Sequence, residues 1–248
     1  MASKNEIIEF CNTTLSVADF DDFCVNGLQV DGKADVRKIV LGVSSSERFF
    51  SEAVNAGADM ILVHHGLFWK NSPHPMHITG LFYRRLKLLM ANNVSLAGYH
   101  LPLDAHSELG NNAGLIRKLG MTLGAPVEVG YMGHLPQKEP FDLFVSRVNE
   151  ILGTSAQVFP YGSADVQDIL VISGSSSAAY PMALENGADT FLCGDVQENF
   201  VREFEEVGLN FINAGHYNTE KMGIQALGAL LADMFDIDVE FIDIPNPV

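Results

Sequence analysis

The chain is poor in positive charge and in cysteine, and it has no long apolar run. Fifteen lysines and arginines stand against 31 aspartates and glutamates in 248 residues, a formal net charge of −16 at pH 7. Nonspecific binding to a nucleic acid depends on basic side chains displacing counterions from phosphates, so this composition argues against a nucleic-acid partner. The cysteines, Cys11, Cys24 and Cys193, form no C-x-x-C pair and are odd in number. They read as buried thiols of a reducing compartment, not as a disulfide framework. Met1 to Glu6 leads straight into an amphipathic helical pattern with no signal-peptide character, and no segment is apolar for long enough to span a bilayer. The cytoplasm is the expected compartment, and no membrane partner is expected. Two phosphate-binding signatures, G-x-x-x-x-G-K and G-x-G-x-x-G, are missing. So are G-x-S-x-G and any Cys and His pairing that would activate a side-chain nucleophile.

What is present is a hydrophobic content of 47%, enough for a substantial core in one large or two small domains. Helical periodicity falls near residues 4 to 13, 46 to 56, 79 to 91, 108 to 119, 140 to 151, 177 to 186, 197 to 206 and 219 to 234. Strand patterns fall near 37 to 43, 60 to 63, 94 to 98, 126 to 132, 156 to 160, 168 to 173, 190 to 193, 209 to 212 and 238 to 242. This alternation predicts an α/β fold with mostly parallel or mixed sheets covered by helices. The division is expected near residue 125, giving an N-terminal α/β repeat over 1–125 and a C-terminal one over 126–248.

Three of the predicted strands end in groups that bind metals. Met60-Ile61-Leu62-Val63 runs into His64-His65-Gly66; Val94 to Gly98 leads to His100 and Asp104; Leu209 to Asn213 leads to His216 and Glu220. Open α/β sheets place ligand sites at the carboxyl ends of their strands. A single histidine after a strand is more often a cap or a core filler, but three such ends in one chain favour a ligand set. An internal repeat connects them. A shift of 130 positions lays Ile39 on Ile169, Ser45-Ser46 on Ser175-Ser176 and Gly57-Ala58-Asp59 on Gly187-Ala188-Asp189, while His64-His65 fall on Gly194-Asp195. A shift of 116 lays His100 on His216 and Asp104 on Glu220. The duplicated unit has diverged, each half keeping part of a ligand set, and two such halves can assemble one dinuclear site.

At these residues the chain resembles the GTP cyclohydrolase 1 type 2 family, also described as Nif3-like proteins. The resemblance is carried by Asn26 to Val30 (NGLQV), His64-His65-Gly66 with Phe68-Trp69-Lys70, His100 to His106 (HLPLDAH), Leu109 to Asn112 (LGNN), Gly215-His216 with Glu220, and the ending Ile242 to Pro247 (IDIPNP). It implies two intertwined α/β repeats, two divalent metal ions per subunit, and a toroidal homohexamer whose sites face an internal cavity. The length matches the short bacterial form, without an extra domain between the halves. The implied ligands are His64, His65, Asp104, His216 and Glu220. The expected partition puts His65 and Asp104 on one ion, His64 and His216 on the other, and Glu220 between them. Nitrogen and oxygen donors suit zinc, iron or manganese. The implied activity is metal-dependent hydrolysis of a small molecule, a purine nucleotide such as GTP, in which metal-bound hydroxide opens the imidazole ring of guanine and releases formate. The alternative class is a noncatalytic metal-binding or metal-delivery protein, or a hexameric interaction scaffold.

The remaining candidates are less specific. His100 reads as a group supporting the ligands, a general acid or base, or a core histidine. Phe68 and Trp69 can stack on a purine or cover the pocket, with packing the simpler reading for Trp69. Lys70 can meet a phosphate but reads more simply as solvated. Gly174 to Ser177 can hold an anion on backbone amides or merely cap a helix. His74, His77, His106 and His134 read as loop or surface residues. The apolar segments Phe49-Phe50 and Leu67 to Trp69 are expected to exceed what one subunit covers, a cue for self-association.

Overall fold

The computed structural model describes residues 1–72 and 76–247. The chain forms two compact units, one made of residues 1–103 and 223–244, the other of 104–222 and 245–248. The break thus falls at Asp104 and not near residue 125, and the chain re-enters the first unit at Gly223. The helix Asn111–Lys118 and the strand Thr122–Val127 are packed in the second unit's core through Leu115, Ile116, Leu119 and the partly buried Leu123. The strand Asp238–Phe241 instead pairs with Lys38–Ser44. Sequence order alone does not reveal such an exchange.

In the first unit a five-stranded sheet runs Asp238–Phe241, Lys38–Ser44, Met60–His65, Ser95–Gly98, Gly27–Val30. The first four strands are parallel and the last is antiparallel. Side chains alternate across a strand, so Val40, Ile61, Val63 and Leu96 face the helices Glu47–Asn55 and Gly80–Ala91, where Phe49, Phe50, Leu86 and Leu89 are buried. Leu41 points the other way, against the helix Lys221–Phe235, whose Gly228 lies so close to Leu41 and Val239 that an added Cβ would overlap the Leu41 side chain. Phe49 and Phe50 are therefore core residues of their own subunit. The cue for self-association taken from them fails, since the helix Glu47–Asn55 turns both rings inward.

The second unit holds a six-stranded sheet in the order Thr122–Val127, Gly130–Pro140, Asp165–Val171, Thr190–Cys193, Asn210–Asn213, Gln157–Pro160. The three central strands are parallel to one another, and the flanking pairs are antiparallel. Ile169, Val171, Leu192 and Ile212 face the helices Asn111–Lys118 and Phe141–Leu152. Leu170, Phe191, Cys193 and Phe211 face the helices Tyr180–Glu185 and Glu198–Val207, with Phe204 and Phe211 stacked at 4.2 Å between ring centroids. The single strand expected over 126 to 132 is in fact a hairpin that reverses at Glu128, a non-glycine residue with φ of 52°. Among the described residues no helix is long and apolar enough to cross a membrane.

The repeat survives in register. Ile39 lies opposite Met60 and Ile169 opposite Thr190, both pairs in parallel strands and both offset by the same 130 positions. In the first unit the strand Met60–His65 ends in two candidate ligands, while in the second His216 and Glu220 follow the strand Asn210–Asn213.

Candidate metal centre

In the first unit the strand Met60–His65 delivers two adjacent imidazoles, and the turn after Ser95–Gly98 delivers a third, His100. Nitrogen atoms of His64, His65 and His100 lie within 4.8 Å of one another, close enough to hold a metal ion. Ring centroids are 4.7 Å apart for His64 and His65, 5.1 Å for His64 and His100, and 5.6 Å for His65 and His100. Each Nδ1 already has an oxygen partner. That of His64 donates to the Tyr99 carbonyl at 2.9 Å, that of His65 is 2.9 Å from Ser44 Oγ, and that of His100 is 2.9 Å from Asp22 Oδ1. A carbonyl or carboxylate only accepts, so in His64 and His100 Nδ1 carries a proton and Nε2 is the nitrogen that can ligate. Imidazoles that ligate metals are oriented in this way, and on that chemistry the donor set fits a divalent ion.

Asp22, which the sequence reading did not single out, organises this cluster. Its side chain is 1% exposed, and its carboxylate accepts from the N–H groups of Cys24 and Leu101, from Asn26 Nδ2 and from His100. Burial alone would raise its pKa, but the hydrogen bonds from His100, Asn26 and Cys24 outweigh that and hold the carboxyl well below the usual range. Asn26 Oδ1 in turn accepts from the His100 N–H at 2.8 Å. Gln29 secures the loop after the histidine pair, its Oε1 accepting from the N–H groups of Leu67 and Phe68. These bonds give the NGLQV stretch a physical role. The missed signal was the acidic pair Asp21-Asp22 four residues before Asn26.

Trp69 lies over the cluster, its ring 5.1 Å from His100 and 6.2 Å from His65, with Nε1 donating to the Gly66 carbonyl at 3.0 Å. It covers the imidazoles, as the packing reading has it. Lys70 pairs with Asp21 at 2.8 Å on the surface.

In the second unit the ligand candidates surround the segment Ser173-Gly174. Asp104, 4% exposed, accepts from Asn111 Nδ2 at 2.8 Å and from Ser173 Oγ at 3.0 Å. Buried carboxylates are costly without such partners. His216 and Glu220 lie one turn apart after the strand Asn210–Asn213, with Nε2 3.1 Å from Oε2 and Glu220 3% exposed. Gly174 makes room for them: its φ is +67°, and an added Cβ would sit 2.2 Å from Glu220 Oε1 and 3.2 Å from His216 Nε2. Asn112 Oδ1 fixes this turn by accepting from the Ser173 N–H at 2.7 Å. Two carboxylates and an imidazole are thus held on rigid backbone, and these types of donor also suit a divalent ion.

In the serine turn the N–H groups of Gly174 and Ser176 donate to Thr219 Oγ1 and to the Gly174 carbonyl. Ser177 N–H, Ser177 Oγ and Ser175 Oγ all donate to Asp195. His106 Nδ1 accepts from the N–H groups of Glu108 and Leu109, and His134 pairs with Asp168. His77 is exposed, and His74 lies outside the described residues. The three cysteines are buried and unbridged. Burial pushes the Cys11 thiol up to about 12 and the Cys24 thiol up to about 11, and raises that of Cys193 as well. None of them is a thiolate near neutral pH.

Comparison with known proteins agrees along the whole length. A curated relative from Pseudomonas aeruginosa, named GTP cyclohydrolase 1 type 2 homolog, is 41% identical over 248 residues, covering 97% of this chain and 97% of its own. One of the same name from Escherichia coli K12 is 42% identical over 246 residues, covering 98% and 99%. A solved structure described as protein ybgI, of unknown function, aligns with a TM-score of 0.95 at 40% identity over 100% of both chains. The profile of the family described as Duf34/NIF3 (NGG1p interacting factor 3) matches residues 2–247, and the chain belongs to that family.

Proposed function

We propose that this protein is a metal-dependent hydrolase of a small molecule, working from a dinuclear centre held by His64, His65, Asp104, His216 and Glu220. The observation that carries the reading is the fixing of the imidazoles: His64, His65 and His100 each have Nδ1 tied to an oxygen, and their ring nitrogens cluster within 4.8 Å. Glu220 is the proposed bridging carboxylate. Two divalent ions, zinc, iron or manganese, would supply Lewis acidity and lower the pKa of water at neutral pH. The chain's own part is to orient and to exclude. Tyr99 and Ser44 aim the two adjacent imidazoles, Asn111 and Ser173 hold Asp104, and Trp69 shields the cluster from bulk water. His100, aligned by Asp22, is placed to accept or return a proton at Nε2. The three cysteines take no part, since each is a buried, protonated thiol at neutral pH.

For the substrate, the relatives' name points to GTP, and ring opening with release of formate is the proposed reaction. The same reading includes a homohexamer in the cytoplasm, supported by the family resemblance and, for the compartment, by the three unbridged thiols. The test is to reconstitute the chain with zinc, iron or manganese and incubate it with nucleotides, pterins and small phosphoesters, reading products by mass spectrometry. Turnover that stops with chelator supports the hydrolase. Stoichiometric metal exchange without turnover replaces it with the metal-delivery reading. Light scattering at six times the 27.0 kDa chain mass supports the ring, and a monomer at micromolar concentration rejects it.

A further inference from the structure

We infer that the hollow beside His216 receives an uncharged, amide-bearing heterocycle, the base end of a substrate, and that no phosphate group sits in it. The inference rests on the hydrolase reading and assigns the chemical class recognised next to one of its ligands. The hollow, of about 530 Å³, lies within the second unit and is lined by Thr154, Gln157, Asp195, Asn213, His216 and Asn218, among others. Pockets for small ligands span about 300–1,000 Å³, so a bicyclic ring fits the space.

The polar groups on its wall are committed in a telling way. Asn213 Oδ1 accepts from the Gly215 N–H at 3.1 Å, which leaves the amide NH₂ as its donor. Asn218 Nδ2 donates to Thr154 Oγ1 at 3.3 Å, which leaves its carbonyl as an acceptor. Gln157, opposite Asn213 in the antiparallel register, has a side-chain amide that makes no hydrogen bond among the described residues. A donor, an acceptor and an amide offering both complement a ring edge in which N–H stands beside C=O. The hollow's own side chains offer no positive charge to an anion. Among the described residues no lysine or arginine lines the hollow, and the carboxylate that does, Asp195, is held in place by Ser175 and Ser177. A phosphate there would face a like charge in a chain of net charge −16, and like-charge juxtaposition suppresses binding.

The test uses the full, metal-reconstituted chain. Guanosine, GTP and inorganic triphosphate are titrated calorimetrically against wild type, Gln157→Leu and Asn218→Leu, with circular dichroism as the check on folding. The Gln157 side chain is exposed and makes no hydrogen bond among the described residues, so its variant keeps the test open should Asn218→Leu fail to fold. The expected result is that each variant weakens guanosine by about 3- to 10-fold, the worth of one net hydrogen bond, and leaves inorganic triphosphate unchanged. Unchanged guanosine affinity in Gln157→Leu and in folded Asn218→Leu overturns the inference, as does a loss confined to triphosphate. If GTP is hydrolysed with the same KM in the variants, the hydrolase reading stands and this inference falls. If guanosine binds in this amide-dependent way and nothing is turned over, the inference stands and the hydrolase reading falls.

Discussion

The two halves of the chain begin their duplicated unit alike and end it differently. Asp59 Oδ2 accepts from the N–H groups of Arg37 and Lys38 at 2.9 and 3.3 Å, and Asp189 Oδ2 accepts from those of Gln167 and Asp168 at 2.7 and 3.1 Å. Each carboxylate sits just before one strand and ties it to its neighbour where the parallel pairing begins. At the carboxyl ends the halves part. His64 and His65 stand where the second half has Gly194 and Asp195, and Ser44, beside His65, stands where it has Gly174. The cause is space. A Cβ at Gly194 would meet the His216 Cα at 2.7 Å and both the Gly174 carbonyl and Thr219 Oγ1 at 2.8 Å, because the His216–Thr219 turn crosses there. The first half leaves room for imidazoles at its strand end, beneath Trp69; in the second the His216–Thr219 turn takes that room and carries the candidate ligand His216 itself. The repeat keeps a common frame, and what packs on each strand end decides where the candidate donors stand.

The largest expected effect breaks the open end. His65→Ala should lose nearly all hydrolysis, at least about 100-fold, the upper end of what even an outer partner costs, and Glu220→Gln should reduce bound metal from about two ions per chain, read by elemental analysis. An unchanged metal count in Glu220→Gln would reject the bridging role.

Asp22→Asn comes next. Losing a carboxylate that orients a cluster histidine typically costs about 10- to 100-fold. If Asp22 acts through His100, the double variant with His100→Ala should be no worse than His100→Ala alone, whereas additive losses would assign Asp22 a separate role. Its lowered pKa also fixes a sign. A group whose folded pKa lies below its unfolded value, about 3.9, adds stability above that pH and loses it as pH falls toward the folded value. The stability gap between wild type and Asp22→Asn in urea should therefore hold steady from about pH 5 upward and close in acid.

A third test fills the covered end. Gly194→Ala presses a methyl group onto backbone and should cost about 1–3 kcal/mol by overpacking, seen as a lower Tm. A neutral substitution would show that the turn can move and that the covering is not what excluded a histidine. The smallest effect concerns the shared end of the repeat. Asp59→Ala and Asp189→Ala should each cost about 1.5–3 kcal/mol for charge-assisted bonds to backbone and should match closely. Beyond the backbone bonds, Asp59 has its pair with Lys33 and Asp189 a bond from Thr190 Oγ1; the Lys33 pair is worth about 0–1 kcal/mol at a surface. A mismatch beyond that would end the equivalence of the halves.

Much of this was open to a reading of residues. The buried strands announce themselves because sheets covered on both faces require apolar side chains in succession, as in Ile39 to Leu41 or Met60 to Val63. His64, His65, Asp104, His216 and Glu220 stand out as candidate donors because they lie at or shortly after the ends of such runs. The hairpin at Glu128 was not, since nothing in that residue type signals φ of 52°. Nor was the strand Gly27–Val30, too short for its period to register.

By itself the sequence determined the continuous apolar strands of the core, the repeat at 130 positions and the types of donor near three strand ends, because these depend on residues close together in the chain. Only the tertiary structure decided that Asp22 grips His100 from 78 positions away, that Ser173 reaches Asp104 from 69 positions away, and that the last strand returns to the first sheet. Such contacts come from how elements pack, and a carboxylate in a loop looks the same in sequence whether it ends in solvent or beneath an imidazole.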